Sequence, residues 1–222
     1  MALPPTEINP EMLNKLLEKF GVSNSKFEDV LGLEPSDVKA FTKPVYALLL
    51  IFPLTKKHEE FRNEQVKKQK DKKLDSKVYF MKQTLENLSG IVALIHSVAN
   101  NKDSVSFGDN SSLKNYIGAS ADASPDERGK LLAKNEALLS DYKSVAAEGF
   151  VRPEGGEHCN VMVLVAVNKH IYELDGQNER PIDHGPLSDE HFLENAVKVC
   201  KRYTEQAKDE VRFSAVALVK DA

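Results

Sequence analysis

Residues Lys82–Asn101, KQTLENLSGIVALIHSVANN, decide how the rest of the chain is read. In the second half, Ile91, Val92, Leu94, Ile95 and Val98 recur at the spacing of one broad face of a 3.6-residue helix, apolar enough to be largely buried. The first half is polar and ends in Leu88-Ser89-Gly90, where such a helix would begin. The unpaired N–H groups and the dipole of a helix favour an anion at that end, so a nucleophile placed there occupies a recurrent active-site geometry. Whether Ser89 has the partners it would need depends on the rest of the chain.

The 222 residues suffice for one full core and nothing in them demands a second, so a single domain over 1–222 is expected. Apolar content of 41% and charged content of 29% are those of an ordinary soluble globular protein. A formal net charge of −4 excludes a strong general pull towards nucleic acid or an anionic membrane. Two cysteines, Cys159 and Cys200, are too few for a disulfide framework and suit a reducing compartment. No run approaches the roughly 18 apolar residues of a membrane span, and MALPPTEINP lacks the features of a signal peptide. A cytoplasmic protein is expected.

Upstream of the opening stretch, Asn9-Pro10 followed by Met12, Leu13, Leu16, Leu17 and Phe20 reads as a capped amphipathic helix stopping at Gly21. Val45–Phe52 is a continuous apolar run ended by Pro53, read as a strand buried on both faces. The charge run from Lys56 to Lys73 admits a basic contact surface, but ordinary charge patterning favours a solvated helix leading into a loop. Val78–Met81 reads as a short strand.

Downstream, Ser124-Pro125-Asp126-Glu127 is a capping box with proline at the first helical position. The pattern predicts a helix from there through Tyr142 to about Ala147, ended by Gly149, and then a glycine- and proline-rich loop to His158. Val161–Val167, Asn168-Lys169 and His170–Leu174 predict a hairpin. Ser188 is a candidate cap for a last helix, and Phe213–Val219 a final strand. Mixed helices and strands give an α/β or α+β class with a covered sheet.

Lys82-Gln83-Thr84, Asn87, Gly90, Leu94-Ile95-His96, Val98-Ala99-Asn100-Asn101, Tyr172-Glu173-Leu174-Asp175-Gly176 and His184-Gly185 together resemble the ubiquitin C-terminal hydrolases. The segments EINPEMLNKLL, DVLGLE, FPLTKKHEEF, KVYFMKQT and VRFSAVALVK extend the likeness over nearly the whole chain. The resemblance implies a papain-like α/β (α+β) fold with a knotted backbone and a central, mostly antiparallel sheet covered by helices. It implies a thiol protease acting at the C-terminus of ubiquitin, which is then the implied partner. The loop from Gly149 to His158 resembles the family's crossover loop, which limits the leaving groups that enter.

The family mechanism uses a cysteine nucleophile, a histidine general base, an aspartate orienting that base, and a glutamine for the oxyanion. Gln83 matches the glutamine and Asp175 the aspartate. The nucleophile position is Ser89, and the base position, fifteen residues before Asp175, is Asn160. Leu88 stands where the family has a small residue, which puts the shape of the cleft in question. A serine hydroxyl works only with a base that takes its proton during attack, and a carboxamide is no such base. Losing the histidine alone from a serine protease costs on the order of a million-fold in turnover.

No other residue is a ready substitute. His158 lies two residues from Asn160, on the same face of a strand, but recruiting it needs a slipped alignment. His96 reads as a core histidine, His170 as an ordinary strand residue, and the role of His184 is open. Cys159 and Cys200 both read as buried thiols. No His/Cys spacing suggests a metal site, and no cofactor is expected. Ser89 and Asn160 also have a structural reading, as a polar cluster with Gln83 and Asp175 that supports the core. The leading expectation is a disabled relative or engineered variant, with ubiquitin binding its retained function. The rivals are a fold-only scaffold and a weak hydrolase using Ser89 with a displaced base.

Overall fold

In the computed structural model, which describes residues 3–4, 6–150, 159–188 and 191–221, the chain opens with α1 (Pro10–Lys19), β1 (Val22–Ser23), β2 (Ser25–Asp29), α2 (Pro35–Ala40), β3 (Val45–Pro53) and α3 (Lys56–Lys68). The middle carries α4 (Ser89–Ala99), β4 (Ser106–Phe107), α5 (Ser112–Ala119), α6 (Pro125–Ala133) and α7 (Glu136–Val145). The last part holds β5 (Cys159–Val167), β6 (His170–Leu174), β7 (Ile182–Pro186), α8 (Phe192–Thr204) and β8 (Ser214–Lys220). Among the described residues six strands form one sheet, in the order β2-β8-β3-β5-β6-β7. Every neighbouring pair in it is antiparallel.

The alternation of side chains along β3 builds two cores at once. Ala47, Leu49 and Ile51 pack with α4 and α1 on one face, and Leu48, Leu50 and Phe52 pack with α8 on the other. Burial on both faces is what an uninterrupted apolar run requires. The first core takes Ile91, Leu94, Ile95 and Val98 of α4, so the opening helix lies flat on the sheet as its spacing demands.

Start and stop signals hold where a side chain is free to act locally. Asn9 Oδ1 caps α1 by accepting from Met12 N at 2.9 Å, and Gly21 follows the helix with φ +74°. Ser124 and Glu127 make the reciprocal capping box of α6. Asn168 and Lys169 both adopt positive φ, 48° and 63°, the geometry of a tight I′-type turn between β5 and β6.

Three local expectations are not met. Val78–Met81 is not a strand. Its backbone is held by α4 and α6 instead: Tyr79 N donates to Asn100 Oδ1 at 2.8 Å, and Asn100 Nδ2 returns a bond to Tyr79 O. Met81 N donates to His96 Nε2, and Arg128 Nη1 donates to Phe80 O. The single helix expected from Pro125 to Ala147 is two, because Asn135 caps α7 by accepting from Leu138 N at 3.0 Å. Ser188 does not cap α8. His191 occupies the cap, and Ser188 Oγ donates to Asn195 Oδ1 at 2.8 Å within the helix that follows. β2 and β7 carry too few apolar residues to be recognised as strands from their sequence.

Candidate active site

The first residue of α4 is Ser89, half-buried, and its N-cap is Leu88, which offers no side-chain acceptor to the first turn. Leu88 is itself 2% exposed and belongs to the core, so the helix start is anchored by apolar packing and its N–H groups stay uncapped. The approach to Ser89 is fixed by Asn87, at φ +63°, whose Nδ2 donates to Leu3 O and whose carbonyl accepts from Tyr142 Oη.

Gln83 is delivered by a backbone bond from its N–H to Gly176 O at 2.8 Å. That approach needs glycine: a Cβ at position 176 would lie 2.9 Å from Val92 Cγ1 and 3.1 Å from Gln83 Cβ. The Gln83 carboxamide turns back on its own loop, its Nε2 donating to Leu85 O at 3.1 Å.

Asn160 is the second residue of β5, and Asp175 immediately follows β6. Asn160 Nδ2 and Arg62 Nη1 both donate to Asp175 Oδ2 at 3.1 Å, while Gln177 N donates to Oδ1 at 2.8 Å. Burial pushes the Asp175 carboxyl above the usual carboxylate range, opposed first by the Arg62 guanidinium and then by the Gln177 N–H and the Asn160 amide. The fold therefore brings all four sequence-selected residues together. Gln83, Ser89, Asn160 and Asp175 line one cavity of about 10 Å³, shared with Val92 and His96.

Arg62 is the residue that sequence reasoning missed. It lies in the charge run read as solvated, yet its side chain is only 10% exposed. The available signal was spacing: His58, Phe61 and Arg62 stand at i, i+3 and i+4, one face of α3. That face docks on α8, with His58 Nε2 at 3.2 Å from Tyr203 O and the Phe61 and Tyr203 ring centroids 5.0 Å apart.

His170 and His184 are engaged away from Ser89 and Asp175. His170 pairs with Asp183 at 3.0 Å. His184 donates from Nε2 to buried Glu173 at 2.8 Å and accepts from Arg202 at Nδ1. His158, with the crossover-loop residues 151–158, lies outside the described residues. Cys200 is buried as expected, its thiol pushed up by burial, but Cys159 is exposed because it pairs opposite Pro53 at the end of the sheet. Among the described residues no group of three or more His, Cys, Asp or Glu is placed to hold a metal.

His96 is fully buried, stacked on Phe80 at 5.4 Å, and accepts from Met81 N at 3.1 Å. Burial lowers its pKa from 6.5 to about 3. The unfolded chain then binds the proton first, so this histidine's contribution is whole above about pH 6.5 and is lost as the pH falls through that window. At ~1.4 kcal/mol per pH unit the loss by about pH 5 is about 2 kcal/mol. Denaturant titrations near neutral pH and near pH 5 should show a shallower pH slope in His96→Gln than in the wild type. Equal slopes would assign the acid sensitivity to other groups.

The profile of "Ubiquitin carboxyl-terminal hydrolase, family 1" matches residues 4–205. Ubiquitin carboxyl-terminal hydrolase isozyme L1 of Rattus norvegicus is 47% identical over 223 residues, with 100% of both chains covered. The isozyme L1 proteins of Monodelphis domestica and Homo sapiens are 48% and 46% identical at the same coverage. The fold is similar to that of the Trichinella spiralis UCH37 catalytic domain crystallised with ubiquitin vinyl methyl ester. That match has a TM-score of 0.80 and 24% identity, covering 100% of this chain and 97% of that one.

Proposed function

The chain belongs to ubiquitin carboxyl-terminal hydrolase family 1, and on that premise we propose that it is a member that has lost hydrolysis and keeps ubiquitin as its partner. One observation carries the reading. The buried carboxylate of Asp175, positioned to orient a general base, is met at 3.1 Å by the amide of Asn160, and the helix start presents the hydroxyl of Ser89. A carboxamide does not take up a proton at neutral pH. A serine hydroxyl without a base is not deprotonated by a helix dipole, which suffices only for the far more acidic thiol. The Gln83 amide, already donating to Leu85 O, would have to turn before it met an oxyanion.

Ubiquitin as partner is supported by the full-length match to the isozyme L1 proteins. The reading also takes 1–222 as one domain with the knotted backbone that the resemblance implies. Sparse cysteine usage supports a cytoplasmic location.

Calorimetric titration with ubiquitin, beside an assay with a fluorogenic ubiquitin C-terminal substrate, tests the proposal. Binding with no turnover above background is expected. Turnover would overturn it in favour of Ser89 acting with a displaced base, and absence of binding would leave a scaffold alone.

A further inference from the structure

The cavity at the start of α4 holds two polar atoms that neither packing nor hydrolysis accounts for. Asn160 Oδ1 and His96 Nδ1 have no hydrogen-bond partner among the described residues. Their side chains are 3% and 0% exposed, and both line the cavity. Buried polar groups are nearly always paired, and of the buried side chains with an unmet atom among the described residues only these two line this cavity, which points to a ligand there.

The far end of each side chain fixes what its free atom offers. His96 Nε2 accepts from the Met81 N–H, so in the neutral ring the proton sits on Nδ1, which is a donor. Burial keeps that ring neutral. Asn160 Nδ2 donates to the Asp175 carboxylate, so its other atom is the oxygen, an acceptor. A ligand that satisfies both must accept one hydrogen bond and donate another. A metal or ammonium ion has no lone pair for the Nδ1–H, and a halide has no proton for Oδ1. The volume, about 10 Å³, is about that of one water position.

We propose that this cavity is a binding site for a single water molecule, held between His96 Nδ1–H and Asn160 Oδ1 beside Ser89. Such a water ties the central helix to β5 through side chains rather than backbone. It also gives Asn160 a function independent of the hydrolase reading. An amide is the group that presents a donor to Asp175 and an acceptor to the water. Leucine would offer neither. Because His96 is neutral and its basic nitrogen is occupied, the water is structural and is not activated for attack.

A crystal structure resolving ordered solvent, with ¹⁵N-edited spectra of the histidine rings, tests this. Expected are one water peak within hydrogen-bond distance of both atoms, and cross-relaxation between the His96 Nδ1 proton and a long-lived water. A dry cavity with both atoms unmet, or another protein group bonded to either atom, would overturn the proposal. In Asn160→Leu the cross-relaxation should vanish, and in Asn160→Asp, which keeps an acceptor, it should persist. Its persistence in Asn160→Leu would also overturn the proposal. Should the leucine variant not fold, the wild-type density and spectra decide alone.

Discussion

Ser89→Cys combined with Asn160→His should raise turnover of a ubiquitin C-terminal substrate by on the order of 10⁴-fold or more, against the ~10⁶-fold cost of losing an essential member of such a constellation. The expectation rests on position. The start of α4 is uncapped by any side chain, so its N–H groups and dipole stabilise a thiolate there. Asp175 Oδ2, now bonded to Asn160 Nδ2 at 3.1 Å, is placed to accept from an imidazole on the same backbone position. Each single change should recover little, because a thiolate without its imidazolium, or a base without its thiol, does not make a working pair. Substrate turnover by the double variant and both single variants gives the comparison. A double variant that folds and binds ubiquitin but stays inert would locate the fault elsewhere in the site. The buried Leu88 side chain and the Gln83 amide turned onto Leu85 O would be the next residues to change.

Arg62→Met should destabilise the fold by roughly 3–5 kcal/mol near neutral pH, the cost of stripping a buried charge of its partner. Arg62 and Asp175 are 3.1 Å apart, with side chains 10% and 2% exposed. Burial already pushes the Asp175 carboxyl up, and the guanidinium is the first influence opposing it. Removing it raises that carboxyl further, so the folded variant holds a proton that the unfolded chain releases from 3.8 upwards. With the folded pKa above the unfolded one, stability falls as pH rises between the two values. The deficit of Arg62→Met relative to wild type should therefore be smaller in acid than at neutral pH. Denaturant midpoints at several pH values give the measurement. A deficit that did not change with pH would mean that the lost arginine acts through packing and not through the charge on Asp175.

The elements readable from the sequence are those whose cause is local. The 3.6-residue spacing of α4, the unbroken apolar run of β3, the capping box of α6 and the Asn168-Lys169 turn each contain their own reason. Val78–Met81 does not. Its apolar residues look like a strand, but the groups that satisfy its backbone lie later in the chain, His96 and Arg128 on helices and Asn100 just past the end of α4. Cys159 failed for a related reason: alternation along a strand predicts its face, but not that the sheet ends there and leaves it exposed.

The site divides along the same line. The sequence supplied the candidate residues, because Gln83, Ser89, Asn160 and Asp175 stand at the positions that the resemblance to the ubiquitin C-terminal hydrolases selects, and a carboxamide takes up no proton at neutral pH in any fold. Only the tertiary structure decided what surrounds that chemistry. It put Arg62 on Asp175 from a helix that looked fully solvated, turned Gln83 onto its own loop, and gave one donor and one acceptor no partner among the described residues beside a cavity about the size of a water molecule. The physical reason is that burial and hydrogen-bond partners depend on what packs from distant segments. The identity of a side chain limits the bonds it can make, but not which of them it makes.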